Sequence, residues 1–249
     1  MDTQTQAQIF LSDQRGCSQL DFFRSYHSFN FGSYSAESRE PFGTIQVLND
    51  DALMAGHSVC MQLERNTDVV ILPLVGGLEY KSDAGNGFLD AGQVLILSLA
   101  ASMKYEICNP YETETINYLA IWLINPSGRS RSGSQIYSFD FQTKNSLLPL
   151  FDVAASNSFN DSSFRAFIGR YGGRQEGIYP LYSDQHDVRA TGVYVFVLNG
   201  AFEVQNRLLH ERDGLALLDI RHGEVAFEAL SNDAMLLLLE VPLTESSYN

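Results

Sequence analysis

A short pattern recurs half a chain apart. In the first half, Gly76-Gly77-Leu78-Glu79-Tyr80 is followed by Asp90-Ala91-Gly92-Gln93-Val94 and then by Tyr105-Glu106-Ile107. In the second half, Gly200-Ala201-Phe202-Glu203-Val204 is followed by Arg212-Asp213-Gly214-Leu215-Ala216 and then by Phe227-Glu228-Ala229. The offset is 124 positions from Gly76 to Gly200 and 122 from Gly92 to Gly214, so one hairpin tip has lost two residues. In a chain of 249 residues such an offset implies two copies of one domain.

Each copy reads as all-β. Its periodic segments are short, rich in β-branched and aromatic residues, and bounded by Gly, Asn or Asp. Val69 to Val75 ends at a glycine pair, and the next strand, Leu78 to Lys81, enters the turn Ser82-Asp83-Ala84-Gly85-Asn86-Gly87. Glycine and Asn there tolerate the positive φ of a tight hairpin. Val193 to Leu198, the Asn199-Gly200 turn and Phe202 to Gln205 repeat the arrangement. Repeated hairpins without a long 3.6-residue apolar period argue for sandwiches or small barrels. Lys144 to Val153 is the main helical possibility, and it is short.

The run Pro126-Ser127-Gly128-Arg129-Ser130-Arg131-Ser132-Gly133-Ser134 is small, polar and basic, and reads as a linker. The expected division is therefore 1–125, a linker at 126–134, and 135–249. Ala155 to Ser163 reads as a long polar loop inside the second domain.

A formal net charge of −14 repels phosphate backbones, so direct nucleic-acid binding is not expected. Cys17, Cys60 and Cys108 are odd in number and lack C-x-x-C spacing, which suits buried thiols in a reducing compartment. No positive charge opens the chain and no long apolar run follows, so no signal peptide is expected. Ala234 to Leu239 is too short to span a bilayer. The expected location is cytoplasmic, with no membrane partner.

The residues then narrow the family. Arg24-Ser25-Tyr26-His27-Ser28-Phe29-Asn30-Phe31 resembles the entry signature of the pirin family, which includes bacterial quercetin-dioxygenase-like proteins. Phe42-Gly43-Thr44-Ile45-Gln46-Val47-Leu48-Asn49-Asp50-Asp51 follows at the family's interval. Ala55-Gly56, Gly76 to Lys81, Gly85-Asn86-Gly87 and Ile121-Trp122-Leu123 then fall in its order. The resemblance is strong over about half the chain and looser in the second half. It implies a bicupin: two tandem double-stranded β-helix barrels of jelly-roll type.

The resemblance also implies a metal site in the N-terminal barrel. Active family members hold iron or a similar divalent metal there with a His-x-His pair, a third His, and a Glu two residues beyond it. Neutral imidazoles and one carboxylate hold such an ion and leave positions open for dioxygen and substrate. Counted from the glycine landmarks, the pair falls on Gln62 and Glu64, the third His on Tyr105, and the Glu on Ile107. All four depart from the pattern, while Asp68 stands where cupins place an acidic residue. The family's metal, and its dioxygenase activity, are therefore expected to be absent.

Strand alternation puts Gln62, Glu64 and Asp68 on one face, and the resemblance turns that face toward the barrel interior. Three uses stay open: an oxygen-ligand site for Mg²⁺ or Ca²⁺, a hydrogen-bonded relic, or a metal-free small-molecule pocket. Of the histidines, His27 is expected to be structural and His57 to point away from the cavity. His186 lacks companion ligands, and His210 and His222 flank turns. Cys60 and Cys108 flank the vacant ligand positions at opposite alternation, and read as outward-packed small hydrophobes. Gly172-Gly173-Arg174 reads as a plain turn. Nucleophile-elbow, phosphate-loop and His-Glu-x-x-His motifs are missing.

The expected function is thus that of a non-catalytic small-molecule-binding or regulatory protein, with a ligand in the N-terminal barrel. Two alternatives are a metal-dependent oxygenase or isomerase rebuilt around Glu64 and Asp68, and a protein-interaction module using a barrel face or the basic linker.

Overall fold

Alternating apolar and polar residues, cut by Gly, Asn and Asp, fold here into strands and little else. The computed structural model describes residues 5–124, 132–151, 164–181, 191–220 and 223–244. Strands β1 (Gln6–Phe10), β2 (Gly16–Gln19), β3 (Phe23–His27) and β4 (Ile45–Leu53) come first. Next are β5 (Ser58–Gln62), β6 (Thr67–Val75), β7 (Leu78–Ser82), β8 (Gly85–Leu89), β9 (Gln93–Leu99), β10 (Lys104–Cys108), β11 (Ile116–Ile124) and β12 (Gly133–Ser138). The second half supplies β13 (Ser146–Pro149), β14 (Arg165–Tyr171), β15 (Glu176–Pro180), β16 (Thr191–Asn199) and β17 (Phe202–Val204). It ends with β18 (Arg207–Leu209), β19 (Gly214–Leu218), β20 (Glu224–Ala229) and β21 (Ala234–Pro242).

These strands make two units of the same design. In the N-terminal unit a seven-stranded sheet, β12-β9-β6-β11-β4-β3-β2, is matched by a four-stranded sheet, β5-β10-β7-β8. In the C-terminal unit a six-stranded sheet, β1-β19-β16-β21-β14-β13, is matched by β15-β20-β17-β18. The order β9-β6-β11-β4 corresponds to β19-β16-β21-β14, and β5-β10-β7-β8 to β15-β20-β17-β18, so the sequence repeat is a repeat of strand order.

The domain boundaries differ from the division at 126–134. β1 pairs with β19 from Gln6↔Leu218 to Phe10↔Gly214 and so belongs to the C-terminal unit. β12, which includes Gly133 and Ser134 of the expected linker, pairs with β9 and belongs to the N-terminal unit. Each strand covers a sheet edge that would otherwise expose unpaired backbone groups. Neither segment carries the repeat, so pattern matching had no hold on them. Residues 126–131 and 155–163 lie outside the described residues. Within the helical possibility at Lys144 to Val153, Ser146–Pro149 is instead strand β13, paired with β14. Long-range backbone pairing outweighs the weak local preference there.

Each barrel is filled by one face of its strands. The N-terminal interior gathers Val69 and Ile71 from β6, Leu95, Leu97 and Leu99 from β9, Tyr80 from β7, and Tyr118 from β11. The C-terminal interior gathers Val193, Val195 and Val197 with Leu215, Leu217, Leu236 and Leu238. One glycine is required by both conformation and space. Gly76 has φ +75°, and a Cβ there would sit 3.0 Å from Ile116 and 3.2 Å from Tyr111.

The connection from β10 to β11 is pinned by a buried amide. Asn109 donates its Nδ2 protons to the carbonyls of Leu53 (2.9 Å) and Glu114 (2.8 Å), and its Oδ1 accepts from Tyr111 N–H at 3.0 Å. Asn109→Ala leaves these buried groups without partners, and is expected to lower the unfolding free energy of the N-terminal unit by about 1–3 kcal/mol in urea titration.

Candidate functional site

Which residues face the interior of the N-terminal barrel is set by the pairing of β5 with β10. In that ladder Met61 lies opposite Tyr105, Val59 opposite Ile107, and Gln62 opposite Lys104. Residues directly opposite share a face, and neighbours along a strand alternate. Tyr105 and Ile107 are buried in the barrel core, with Val59, Met61 and Leu63 packed alongside them. Gln62 and Glu64 are therefore turned outward, and both are exposed.

Asp68 is buried but does not join them. It alternates with Val69 and Ile71, which face the barrel, so it lies on the other face of its sheet. There Ser98 donates its hydroxyl to Asp68 Oδ1 at 2.6 Å, while burial holds the carboxyl above its usual range. The expectation that Gln62, Glu64 and Asp68 share the inward face is thus corrected. Gln62 and Glu64 do share a side, as expected, but Met61 and Leu63 claim the interior. The alternation is then interrupted between β5 and β6.

Other expectations fit better. His27 is fully buried and hydrogen-bonded. His57 is exposed and stacked on Phe22, with centroids 4.8 Å apart. His210 has a side chain 68% exposed beside Asp213. His186 and His222 lie outside the described residues. Cys60 and Cys108 do lie on the outward face, but the expectation of buried thiols is corrected. Cys17 and Cys60 are exposed and Cys108 is half-buried, and Cys60 shares the side of Gln62 instead of opposing it, being two positions away on the same strand. Burial, with Glu106 nearby, raises the Cys108 thiol pKa. Gly172-Gly173-Arg174 is a turn closed by Gln175 N–H on the Gly172 carbonyl at 3.2 Å.

A buried polar row crosses the inward face of β2, β3, β4 and β11. Ser18 lies opposite Ser25, Ser25 opposite Asp51, and Asp51 opposite Tyr118. His27 and Asn49 form the neighbouring pair on the same face. Ser25 and Tyr118 flank Asp51 across the ladder and their hydroxyls favour its ionised form, yet Asp51 Oδ1 has no hydrogen-bond partner among the described residues. Above the row, Trp122 Nε1–H donates to the Tyr105 hydroxyl at 2.9 Å, and the Phe31 ring stands edge-on to Trp122 at 5.6 Å.

Burial dominates the electrostatics of this row. It pushes the Asp51 carboxyl up to about 7, with hydrogen bonds from Ser25 and Tyr118 opposing and the Asp50 charge assisting. Asp50 itself is paired with Arg15 at 3.2 Å. Burial also raises both Tyr105 and Tyr118, so these phenols stay neutral. His27 is lowered by burial, against the effect of its Asn49 hydrogen bond.

The sequence reading passed over Asp51, although a signal was present. Asn49-Asp50-Asp51 sits inside an otherwise apolar strand, and a period of two puts Asn49 and Asp51 with Val47 and Leu53. The C-terminal barrel has its own buried carboxyl, Glu240, which accepts from the Tyr179 hydroxyl. A cavity of about 360 Å³ lies in the same unit, lined by Leu147, Phe167, Tyr171 and Tyr179 among others.

The donor set of an iron-type centre does not fit these positions. Two of the four point outward, and the inward two offer a neutral phenol and a hydrocarbon. Among the described residues no group of three or more His, Cys, Asp or Glu side chains converges to hold a metal ion.

A raised Asp51 pKa also makes stability depend on pH. The contribution is full near and below pH 4 and is lost as pH rises through about 7; its upper bound is about 4 kcal/mol. Asp51→Asn cannot ionise. Thermal melts are expected to show the variant close to the parent at pH 4 and several degrees more stable at pH 8.

Comparison with known proteins agrees with this architecture. A family model for the quercetinase C-terminal cupin domain matches residues 183–241. The chain is 25% identical over 114 residues to a quercetin 2,3-dioxygenase of Escherichia coli, a match that spans 45% of this chain and about half (49%) of that relative. It is 27% identical over 237 residues to a Pseudomonas aeruginosa protein assigned provisionally as a quercetin 2,3-dioxygenase, covering 92% of this chain and 97% of that one. Among solved structures, the bacterial pirin YhhW of E. coli in complex with nickel(II) superposes with a TM-score of 0.82 at 17% identity, covering 96% of this chain and all (100%) of that one. Strand order, the C-terminal cupin match and these relatives converge on one conclusion: the chain is a pirin-like bicupin.

Proposed function

We propose that this pirin-like bicupin is a small-molecule-binding protein that works without an iron-type centre, and so without the dioxygenase chemistry for which its relatives are named. The supporting observation is the facing of β5 and β10. Gln62 and Glu64 leave the barrel, and Tyr105 and Ile107 stand at the inward positions where metal ligands would be. The interior is apolar and aromatic, with one polar end made by Asp51, Tyr118 and Tyr105. That combination suits an uncharged ligand oriented by a few hydrogen bonds.

A rebuilt oxygenase centred on Glu64 and Asp68 has less support, because one carboxylate is exposed and the other is engaged by Ser98 on a different face. A protein-interaction role for the basic linker rests mostly on residues outside those described. Free Cys17, Cys60 and Cys108 suit the cytoplasm as the site of action. Among the described residues no helix is long and apolar enough to cross a membrane.

Elemental analysis of the purified protein, before and after incubation with Fe(II), Ni(II), Mn(II) and Zn(II), tests the proposal. The expected result is no metal above background after desalting, and no quercetin consumption beyond that of buffer. Near-stoichiometric metal lost in a Glu64→Ala/Asp68→Ala variant would instead establish a rebuilt centre.

A further inference from the structure

The polar row in the N-terminal barrel has the parts of an acid–base site as well as a binding site. Asp51 is 2% exposed, and its Oδ1 faces the interior side of β4 with no hydrogen-bond partner. Buried acceptors are almost always satisfied, so an empty one needs a reason. The Tyr105 oxygen accepts from Trp122 Nε1–H, and among the described residues no acceptor takes its own proton, so it remains a donor. The barrel thus offers a spare acceptor and a spare donor inside apolar walls.

A buried carboxyl cannot turn over as an acid or base unless protons reach it. Here a run of adjacent polar side chains leads from the sheet edge to it. Asn49 Oδ1 lies 2.9 Å from His27 Nδ1, which marks Nδ1 as the protonated nitrogen and leaves Nε2 as an acceptor. The Ser18 hydroxyl donates to Nε2 at 2.8 Å. On the other side, Ser25 Oγ lies 3.3 Å from His27 Nδ1, and Ser25 is the cross-strand neighbour of Asp51. The single Nδ1 proton is shared between Asn49 Oδ1 at 2.9 Å and Ser25 Oγ at 3.3 Å, so His27 stands between Ser18 on one side and Ser25 on the other. Ser18 is only half-buried and sits on β2, the edge strand of its sheet.

The geometry points to Asp51 as the acid–base group of a metal-free proton-transfer site. Tyr105 holds the carbonyl oxygen of a small uncharged ketone or aldehyde, and Ser25, His27 and Ser18 carry protons between Asp51 and the sheet edge. This rests on the binding role assigned to the same barrel. In the step itself, Asp51 Oδ1 takes a proton from the carbon beside the carbonyl. The C–H electron pair becomes a carbon–carbon π bond, and the carbonyl π pair moves onto oxygen, where the Tyr105 O–H holds the enolate. Return of a proton to carbon restores the carboxylate, so no oxidant or reductant is needed. The burial that raises the carboxyl toward neutrality suits it to both halves of the cycle. The titratable groups around it are His27 on β3, Tyr118 on β11, Tyr105 on β10, and Asp50 next to it on β4, which faces away toward Arg15. Asp51 and Tyr105 are the catalytic residues of this site; His27, Ser25 and Ser18 are positioning residues.

The test is proton exchange with butanone as the probe. The intact protein is incubated with butanone in D₂O, and deuterium uptake beside the carbonyl is followed by ¹H NMR. Wild-type exchange is expected to exceed that of buffer by about 10²-fold or more. It should be lost in Asp51→Asn, reduced in Tyr105→Phe, and unaffected by EDTA. His27→Ala is expected to lose exchange and to regain it with added imidazole, a rescue that a purely structural histidine would not show. Ser25→Ala provides a second interruption of the relay should His27→Ala fold poorly. Exchange no faster than buffer, or equal in wild type and Asp51→Asn, overturns the proposal while leaving the metal-free reading intact. Exchange abolished by EDTA overturns both.

Discussion

The pairing of β5 with β10 governs most of what this protein can do. Antiparallel partners share a face and strand neighbours do not, so a single register decides which side chains see the barrel interior. With Met61 opposite Tyr105 and Val59 opposite Ile107, the interior receives thioether, phenol and hydrocarbon, while Gln62 meets Lys104 outside. Loss of imidazoles alone would leave a hole to be relined. Here the inward positions also carry no imidazole or carboxylate in exchange, and the metal chemistry of the fold has no ligands to start from.

The interior nevertheless keeps one expensive feature. Burying a carboxyl is unfavourable unless it is neutral or well hydrogen-bonded, and Asp51 meets both conditions only in part. Ser25 and Tyr118 engage it, burial drives it toward the neutral form, and Oδ1 remains without a partner. An apolar residue would fill the same place at lower cost, so its presence argues for use. The His27–Asn49 pair, the serines beside it and the neutral phenols Tyr118 and Tyr105 surround that one carboxyl on the inward face.

Much of the fold was legible in the sequence, because the repeat is carried by turn glycines and strand residues whose spacing is fixed by hairpin geometry. Gly76 and Gly200 both adopt φ +75°, and the strands around them hold equivalent places in their sheets. The edge strands β1 and β12 were misassigned because they have no counterpart in the repeat and are placed by long-range pairing alone. At the site, counting from glycine landmarks identified Tyr105 and Ile107 as inward. The same counting could not fix the absolute facing of Gln62 and Glu64, since alternation gives relative sides only. Asp68 was misplaced because the chain between β5 and β6 breaks the alternation. Asp51 was passed over as one residue of a family signature, although three consecutive polar residues in an apolar strand already imply that one of them faces inward.

The barrel contains its own reporter. Trp122 is the single tryptophan of the chain, and it donates to Tyr105 at the position a third histidine would take. Titrating the protein with Ni(II) while following tryptophan emission interrogates that position directly, because a bound transition ion quenches a neighbouring indole. The account predicts only weak, linear, non-saturating loss of emission. Saturable quenching at one equivalent of Ni(II), reversed by EDTA, would contradict it.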